Sequence, residues 1–274
     1  MPVGAFRMPP AGRDGVLRRD GAMLERLLHI GDEPVTVRAW PAGGCVRVCA
    51  EASSAELAKT GVERMRFALG TDHDLRPFQQ AFKRDPLLGP VIRRMPWLRP
   101  RRRAEPFEAL AWAVCEQLID GARASAIERS LVARHGRRSA CGLRDVPSAA
   151  EVGRLAPAQI ESCGLSPRRS VTLMRAAREV ASGRADLSRH EPSWRRLRAI
   201  PGIGPWTLES LAFYGQGRDD QLPAGDLAYV KLVGRLARLG RRATEEEVRA
   251  FFAPYEPFTA LAGTYLVRAA VSAR

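Results

Sequence analysis

The sequence predicts an α+β fold, a small antiparallel sheet-plus-helix unit followed by a mainly helical array. Two patterns predict it. Alternation of apolar and polar residues is confined to the stretch from Gly15 to about Gly70, and a period of two belongs to half-buried strands. Beyond Asp72 the alternation stops, and successive segments carry the spacing of amphipathic helices with Gly or Pro between them. A third observation bounds the class. Hydrophobic residues make up 45% of the 274 positions, enough for a substantial core, yet charged side chains interrupt every apolar run before the roughly 20 residues of a membrane helix. A soluble protein with no membrane partner is expected. No unit of ~20–50 residues repeats end to end, which argues against a solenoid.

The elements follow in chain order. Met1 to Arg13 is rich in Pro and Gly without an apolar h-region, so it reads as a loose arm rather than a signal peptide, and the expected location is the cytoplasm. Pro34 to Trp40 and Cys45 to Cys49 alternate across the turn Pro41-Ala-Gly-Gly44, a hairpin signature. Glu56 to Leu69 has helical spacing. Further helices are predicted over Pro106 to Leu118, Arg123 to His135, Pro167 to Ser182, Ser193 to Ala199, Trp206 to Gly215, Leu227 to Leu239 and Thr244 to Phe252, the last opened by the capping box Thr244-Glu-Glu-Glu247.

Composition narrows the partner. The net charge is +14, which favours a polyanion because basic side chains displace counterions from phosphate. Only Lys59, Lys83 and Lys231 are lysines among the 44 basic residues, so coding bias accounts for part of the arginine excess. Arginine is nonetheless the better bidentate phosphate ligand, and it clusters at Arg93-Arg94, Arg99 to Arg103, Arg168-Arg169 and Arg195 to Arg198. Five cysteines at wide spacings form no CxxC pair, which argues against a disulfide framework or a zinc site.

The stretch that carries chemistry runs from Trp194 to Gly234. A short helix leads to the turn Ile200-Pro-Gly-Ile-Gly-Pro205, a second helix begins at Trp206, and Leu222-Pro-Ala-Gly-Asp226 precedes a third. Two glycines between helices allow a tight turn whose N–H groups can hold a phosphate, although the same spacing also serves a plain helix–helix turn. Asp226, taken alone, reads as an N-cap.

Together these residues resemble the helix-hairpin-helix, Gly/Pro, Asp superfamily of DNA glycosylases, most closely its 3-methyladenine DNA glycosylase II branch. Leu197 to Thr207 resembles the hairpin and Leu222 to Leu227 the loop ending in the catalytic Asp; Pro106 to Leu110 and Glu116-Gln-Leu118 resemble the helix and wedge ahead of them. The resemblance implies two helical subdomains enclosing a cleft, with boundaries at 1–76, 77–104, 105–219 and 220–274, the second and fourth segments forming one split subdomain. It implies a monomer acting on double-stranded DNA that contains a damaged base. Asp226 would be the catalytic carboxylate. Gly202, Ile203 and Gly204 would offer N–H groups to a phosphate, and hairpin carbonyls would hold a Na+ or K+ with no side-chain ligand. Leu118 would enter the base stack, with Gln117 beside it meeting the opposite base or backbone. Trp206, and more weakly Tyr265 and Tyr214, would wall the base pocket.

Trp206 stands where strand-cutting members carry a lysine, so the resemblance implies a monofunctional enzyme. No cysteine follows Cys163, so the iron–sulfur cluster of a related branch is not expected. Ser210, Glu116, Ile119, Asp120 and Val267 depart from the alkylpurine pattern, which keeps open a glycosylase for a neutral oxidised or deaminated base. A non-catalytic damaged-DNA binder is a further alternative, and an RNA-binding protein would need aromatic strands that the chain lacks.

Overall fold

The computed structural model describes residues 6–188 and 190–272; the first five residues of the expected arm lie outside them. The strands form one antiparallel meander, β1 (Arg18–Asp20), β2 (Met23–Ile30), β3 (Glu33–Ala42) and β4 (Cys45–Glu51). The expected hairpin is the β3–β4 pair, with Ala42 opposite Cys45. Gly43 and Gly44 sit at φ of 58° and 72°, the left-handed conformation that a tight hairpin turn requires. Alternation does not reveal β2, because it is buried from Leu24 through His29 on both faces, and Glu25, Arg26 and His29 interrupt its apolar pattern. Each of the three is partnered: Glu25 accepts from Arg18 and Arg38, Arg26 donates to Glu108 at 2.7 Å, and His29 meets Asp145 at 3.1 Å.

Helix α1 (Ala55–Leu69) packs on this sheet, capped by Ser54 and ended by Gly70 at φ 67°. At Gly61 a Cβ would fall 2.6 Å from Val35 Cγ1, so only glycine lets helix and sheet approach this closely. Leu24, Leu28, Val35, Val37 and Met65 form the core between them.

The rest is helical: α2 (Arg76–Phe82), α3 (Leu88–Arg94), α4 (Pro106–Glu116), α5 (Gly121–His135), α6 (Ala149–Arg154), α7 (Pro157–Glu161), α8 (Pro167–Ala181), α9 (His190–Arg198), α10 (Pro205–Ser210) continuing into a π turn (Leu211–Gly215), α11 (Leu227–Leu236), α12 (Glu245–Phe252) and α13 (Thr259–Ser272). Phe78, Leu88 and Ile92 share one core with Leu232, Phe252 and Leu261, so segments far apart in sequence pack as one body. Trp112, Ile127, Leu131, Ile160 and Leu173 make a second core, which α4 helps to form. The capping box at Thr244 and Glu247 is present in both directions.

Three expectations are corrected. Helix α4 stops at Glu116 rather than Leu118. The described part of the N-terminal arm is packed rather than loose: Arg7 lies over Trp97, Arg99 over Phe6, and Arg129 donates to the Arg13 carbonyl. The Arg99 to Arg103 cluster is partly structural, since Arg102 turns in to Asp219 and Arg103 to Asp14. Among the described residues no helix is long and apolar enough to cross a membrane.

Candidate active site

The end of α4 is built to present one side chain. Leu118 lies at φ 57° and is fully exposed, a conformation that costs a non-glycine residue about 1–2 kcal/mol. Its neighbours hold it there. The Arg169 guanidinium, from α8, donates to the carbonyls of Cys115 (2.7 Å) and Gln117 (3.2 Å), which α4 leaves free at its C-terminus. The Gln117 amide donates to the Gly202 carbonyl (2.8 Å) and reaches Thr207 Oγ1 (3.0 Å). Gln117 is thus not displayed beside Leu118; it ties the Leu118 turn to the loop between α9 and α10.

That loop is the expected hairpin. Gly202 sits at φ 95°, and a Cβ on it would meet Thr172 Oγ1 at 2.6 Å; both facts require glycine. The Ile203 amide closes the turn onto the Ile200 carbonyl and its side chain is buried, so Ile203 supplies packing where a phosphate-facing N–H was expected. Gly204, extended at φ −107°, precedes α10 and puts Pro205 at its first position, which suits a helix start because Pro has no N–H to leave unsatisfied. Gln117, Leu118, Arg168, Arg169, Gly204 and Trp206 border a cleft of about 450 Å³.

Asp226 caps α11, its Oδ1 accepting the Ala228 amide at 2.7 Å. Among the described residues Oδ2 has no protein donor. The preceding Gly225 lies against Trp206, whose Cβ is 3.9 Å from where a Gly225 Cβ would stand. The structure therefore links Leu118 to the hairpin and brings Gly225, the residue before Asp226, up to Trp206. Tyr214, in the π turn, is half-buried, and burial together with the Asp226 and Glu116 charges pushes its hydroxyl pKa up.

Tyr265 is not brought to the cleft. It is wholly buried against Phe78 and donates its hydroxyl to the Leu98 carbonyl at 3.0 Å. Ser210 is buried and Val267 packs against the core around Phe78, and neither borders this cleft. Among the described residues no group of His, Cys, Asp and Glu could hold a metal ion.

Two carboxylates stand near the end of α4, Glu116 of the wedge segment and Glu128, and neither carries a chemical role from the sequence. Glu116 ends α4, with 40% of its side chain exposed and its Oε1 4.0 Å from Arg103. Glu128, on α5, is buried beside it. Burial raises both carboxyl pKa values, and the charge of Glu116 raises Glu128 further. A signal for Glu128 does exist: it occupies the core stripe of Ala124, Ile127, Leu131 and Val132 on α5, where a carboxylate is out of place.

No family model matches the chain. A DNA-3-methyladenine glycosylase of Bacillus subtilis (strain 168) is 28% identical over 207 residues, 72% of this chain and 68% of that protein. DNA-3-methyladenine glycosylase 1 of Schizosaccharomyces pombe is 30% identical over 177 residues, 61% of this chain and 75% of that protein. A bifunctional transcriptional activator/DNA repair enzyme of Mycobacterium tuberculosis is 28% identical over 256 residues, 90% of this chain, and the chain spans half of its length. Among solved structures, a 3-methyladenine DNA-glycosylase from Archaeoglobus fulgidus shares the fold with a TM-score of 0.78 at 20% identity, covering 92% of this chain and 88% of that one.

Proposed function

This chain belongs to the helix-hairpin-helix DNA glycosylases, and on that premise we propose that it removes an alkylated purine of the 3-methyladenine type from duplex DNA without cutting the strand. The observation that carries the proposal is the Asp226 Oδ2 left without a donor among the described residues, next in sequence to Gly225 that lies against Trp206, together with an exposed Leu118 tied to the hairpin. Wedge, hairpin and carboxylate all come from one chain, so one copy suffices and a cytoplasmic monomer bound to the nucleoid is the working form.

Each part has a physical role. Leu118 fills the gap left when the damaged nucleotide rotates out, offsetting part of the few kcal/mol lost on unstacking. The Gly202 and Gly204 amides hold a backbone phosphate, and the exposed Arg168 adds charge beside them. The C1′–N bond then breaks, its electron pair leaving with a base that is already cationic. Asp226 stabilises the oxocarbenium-like sugar and orients the water that adds to C1′. Trp206 stacks on the cationic base, an attraction of roughly 0.5–2 kcal/mol. A Trp forms no Schiff base with C1′, so the hairpin position itself supplies no amine to cut the strand.

A monovalent cation would fit at the hairpin as a brace. The Ile200, Pro201 and Gly202 carbonyls each face one protein donor, Ile203, Thr172 and Gln117, and keep one lone pair apiece. No reaction step passes through it.

The test uses duplexes that carry a single 3-methyladenine or 7-methylguanine. Base release is expected with strand breaks only after alkali and no borohydride-trapped adduct. Asp226→Asn is expected to slow single-turnover release on the order of a thousandfold with DNA affinity largely kept. Unchanged release in that variant, or a trapped adduct with the wild type, would overturn the corresponding part of the proposal.

A further inference from the structure

We propose that Arg13, Arg101 and Arg268 form a second DNA-binding surface, a phosphate grip through which the N-terminal arm and the last helix hold the duplex beside Leu118. The inference rests on the reading of this chain as a glycosylase of duplex DNA, and it adds a contact that the hairpin does not make. Arg13 and Arg101 are exposed and line one cavity of about 190 Å³, together with Glu116 at the end of α4. Arg268 is exposed on α13, and its charge acts on Arg101. The three come from the arm, the segment ahead of α4 and the C-terminal helix, so the fold gathers them rather than a local run of basic residues.

The other arginines of this cavity are already paired. Arg26 meets Glu108 at 2.7 Å, Arg102 meets Asp219 at 3.2 Å and Arg103 meets Asp14 at 2.9 Å. Asp14 also accepts from the Val16 amide and the Trp112 indole, which leaves it little to offer a further cation. Among the described residues no acid forms an ion pair with Arg13, Arg101 or Arg268. Arg101 instead stands among like charges: partial burial, then the positive charges of Arg103, Arg13 and Arg268, push its pKa down, and a guanidinium nevertheless stays ionised. An anion relieves that repulsion, and the planar guanidinium matches phosphate oxygens two at a time.

The cavity borders the turn that carries the wedge. Glu116 lines it, with Oε1 4.0 Å from Arg103, while the next residue, Gln117, donates to the Gly202 carbonyl of the hairpin at 2.8 Å. Successive residues at the end of α4 thus reach the arginine cavity and the hairpin, and Leu118 follows both. A duplex carries a phosphate every ~3.4 Å of axis on each strand, so a stack entered by Leu118 offers one group of phosphates to the hairpin amides and others to the arginines. Contacts of this kind fix the register of the duplex and carry no base preference. Two grips beside one wedge hold the strand in place while a nucleotide is turned out of it.

The experiment titrates a fluorescent duplex bearing one stable abasic-site analogue at a series of salt concentrations. Arg13→Gln, Arg101→Gln and Arg268→Gln are each expected to make the slope of log affinity against log salt shallower by about 0.9, and the triple variant by about 2–3, as the loss of one phosphate contact apiece requires. Arg47→Gln removes an exposed arginine from β4 and controls for net charge; its slope is expected to match the wild type. A second scan replaces single phosphates around the lesion by neutral methylphosphonate. The wild type is expected to lose affinity at the hairpin phosphate and at further positions, and the triple variant to be insensitive at those further positions alone. An unchanged slope in the triple variant, an equal change in Arg47→Gln and Arg101→Gln, or the same sensitive phosphates in wild type and triple variant overturns this inference and leaves the hairpin and Asp226 as they stand. A wild type that neither binds the duplex nor releases a methylated base overturns the proposed function and this inference with it.

Discussion

Leu118 bears two costs that folding gives no reason to accept, a φ of 57° and full exposure of an apolar side chain. Replacing it by glycine removes both. Leu118→Gly is expected to stabilise the protein by about 1 kcal/mol, read as a higher urea midpoint, while base release from a damaged duplex falls at least tenfold. A variant that is both less stable and equally active would show that Leu118 is a packing residue. Its setting is only half legible in the sequence, because the apolar spacing of α4 runs on through Leu118 and predicts helix there. What ends the helix early is tertiary, the capture of two carbonyls by Arg169 and of the Gln117 amide by the hairpin. Asp226 is the reverse case. Its capping role follows from the sequence, but that its second carboxylate oxygen meets no donor among the described residues is visible only in the structure.

At the scale of elements, the hairpin and the α4 turn form one unit, since Gly202 both turns the chain and supplies the carbonyl that Gln117 holds. Gly202→Ala would place a methyl 2.6 Å from Thr172 Oγ1 in a left-handed backbone. The expected outcome is a loss of about 1–3 kcal/mol in stability and weaker binding of damaged and undamaged duplex alike, because phosphate contacts carry no base preference. Titrations showing intact affinity for undamaged duplex would remove the hairpin from the DNA contact. Elements with strong local signals are the legible ones: the Gly43-Gly44 turn, the capping box of α12 and the glycines of the hairpin. Those that rely on the rest of the molecule are not. Strand β2 hides its pattern behind buried ion pairs, α6 and α7 are too short to show a period, and α13 is buried at five consecutive positions from Thr259 to Gly263, so no polar face marks it as a helix.

At the scale of the whole molecule, a strongly basic chain keeps an acid-rich interior. Arg26 with Glu108, His29 with Asp145, and Arg103 with Asp14 join the sheet unit to the helical body, and Glu116 and Glu128 lie next to that seam with raised pKa values. At the surface the balance is opposite. Hydrogen bonds from arginine outweigh partial burial there: Arg184 and Arg196 hold Glu179, and Arg218 holds Asp220, down to about 2. The two groups act on stability from opposite ends of the pH scale. A carboxyl whose pKa is raised by folding contributes stability below its unfolded value of about 4 and loses it as pH climbs through the folded value; a carboxyl lowered by folding contributes above that unfolded value and loses it as pH falls towards its folded value. The melting temperature is therefore expected to decline on both sides, with the decline between the unfolded and folded values of the raised carboxyl belonging to the Glu116–Glu128 pair. Glu128→Gln removes the group that must ionise inside the protein, so its melting temperature between about pH 5 and pH 8 should fall less steeply than that of the wild type, while the acid limb stays where Glu179 and Asp220 put it. Equal slopes of the two proteins over that range would show that the pair does not hold a proton in the folded state.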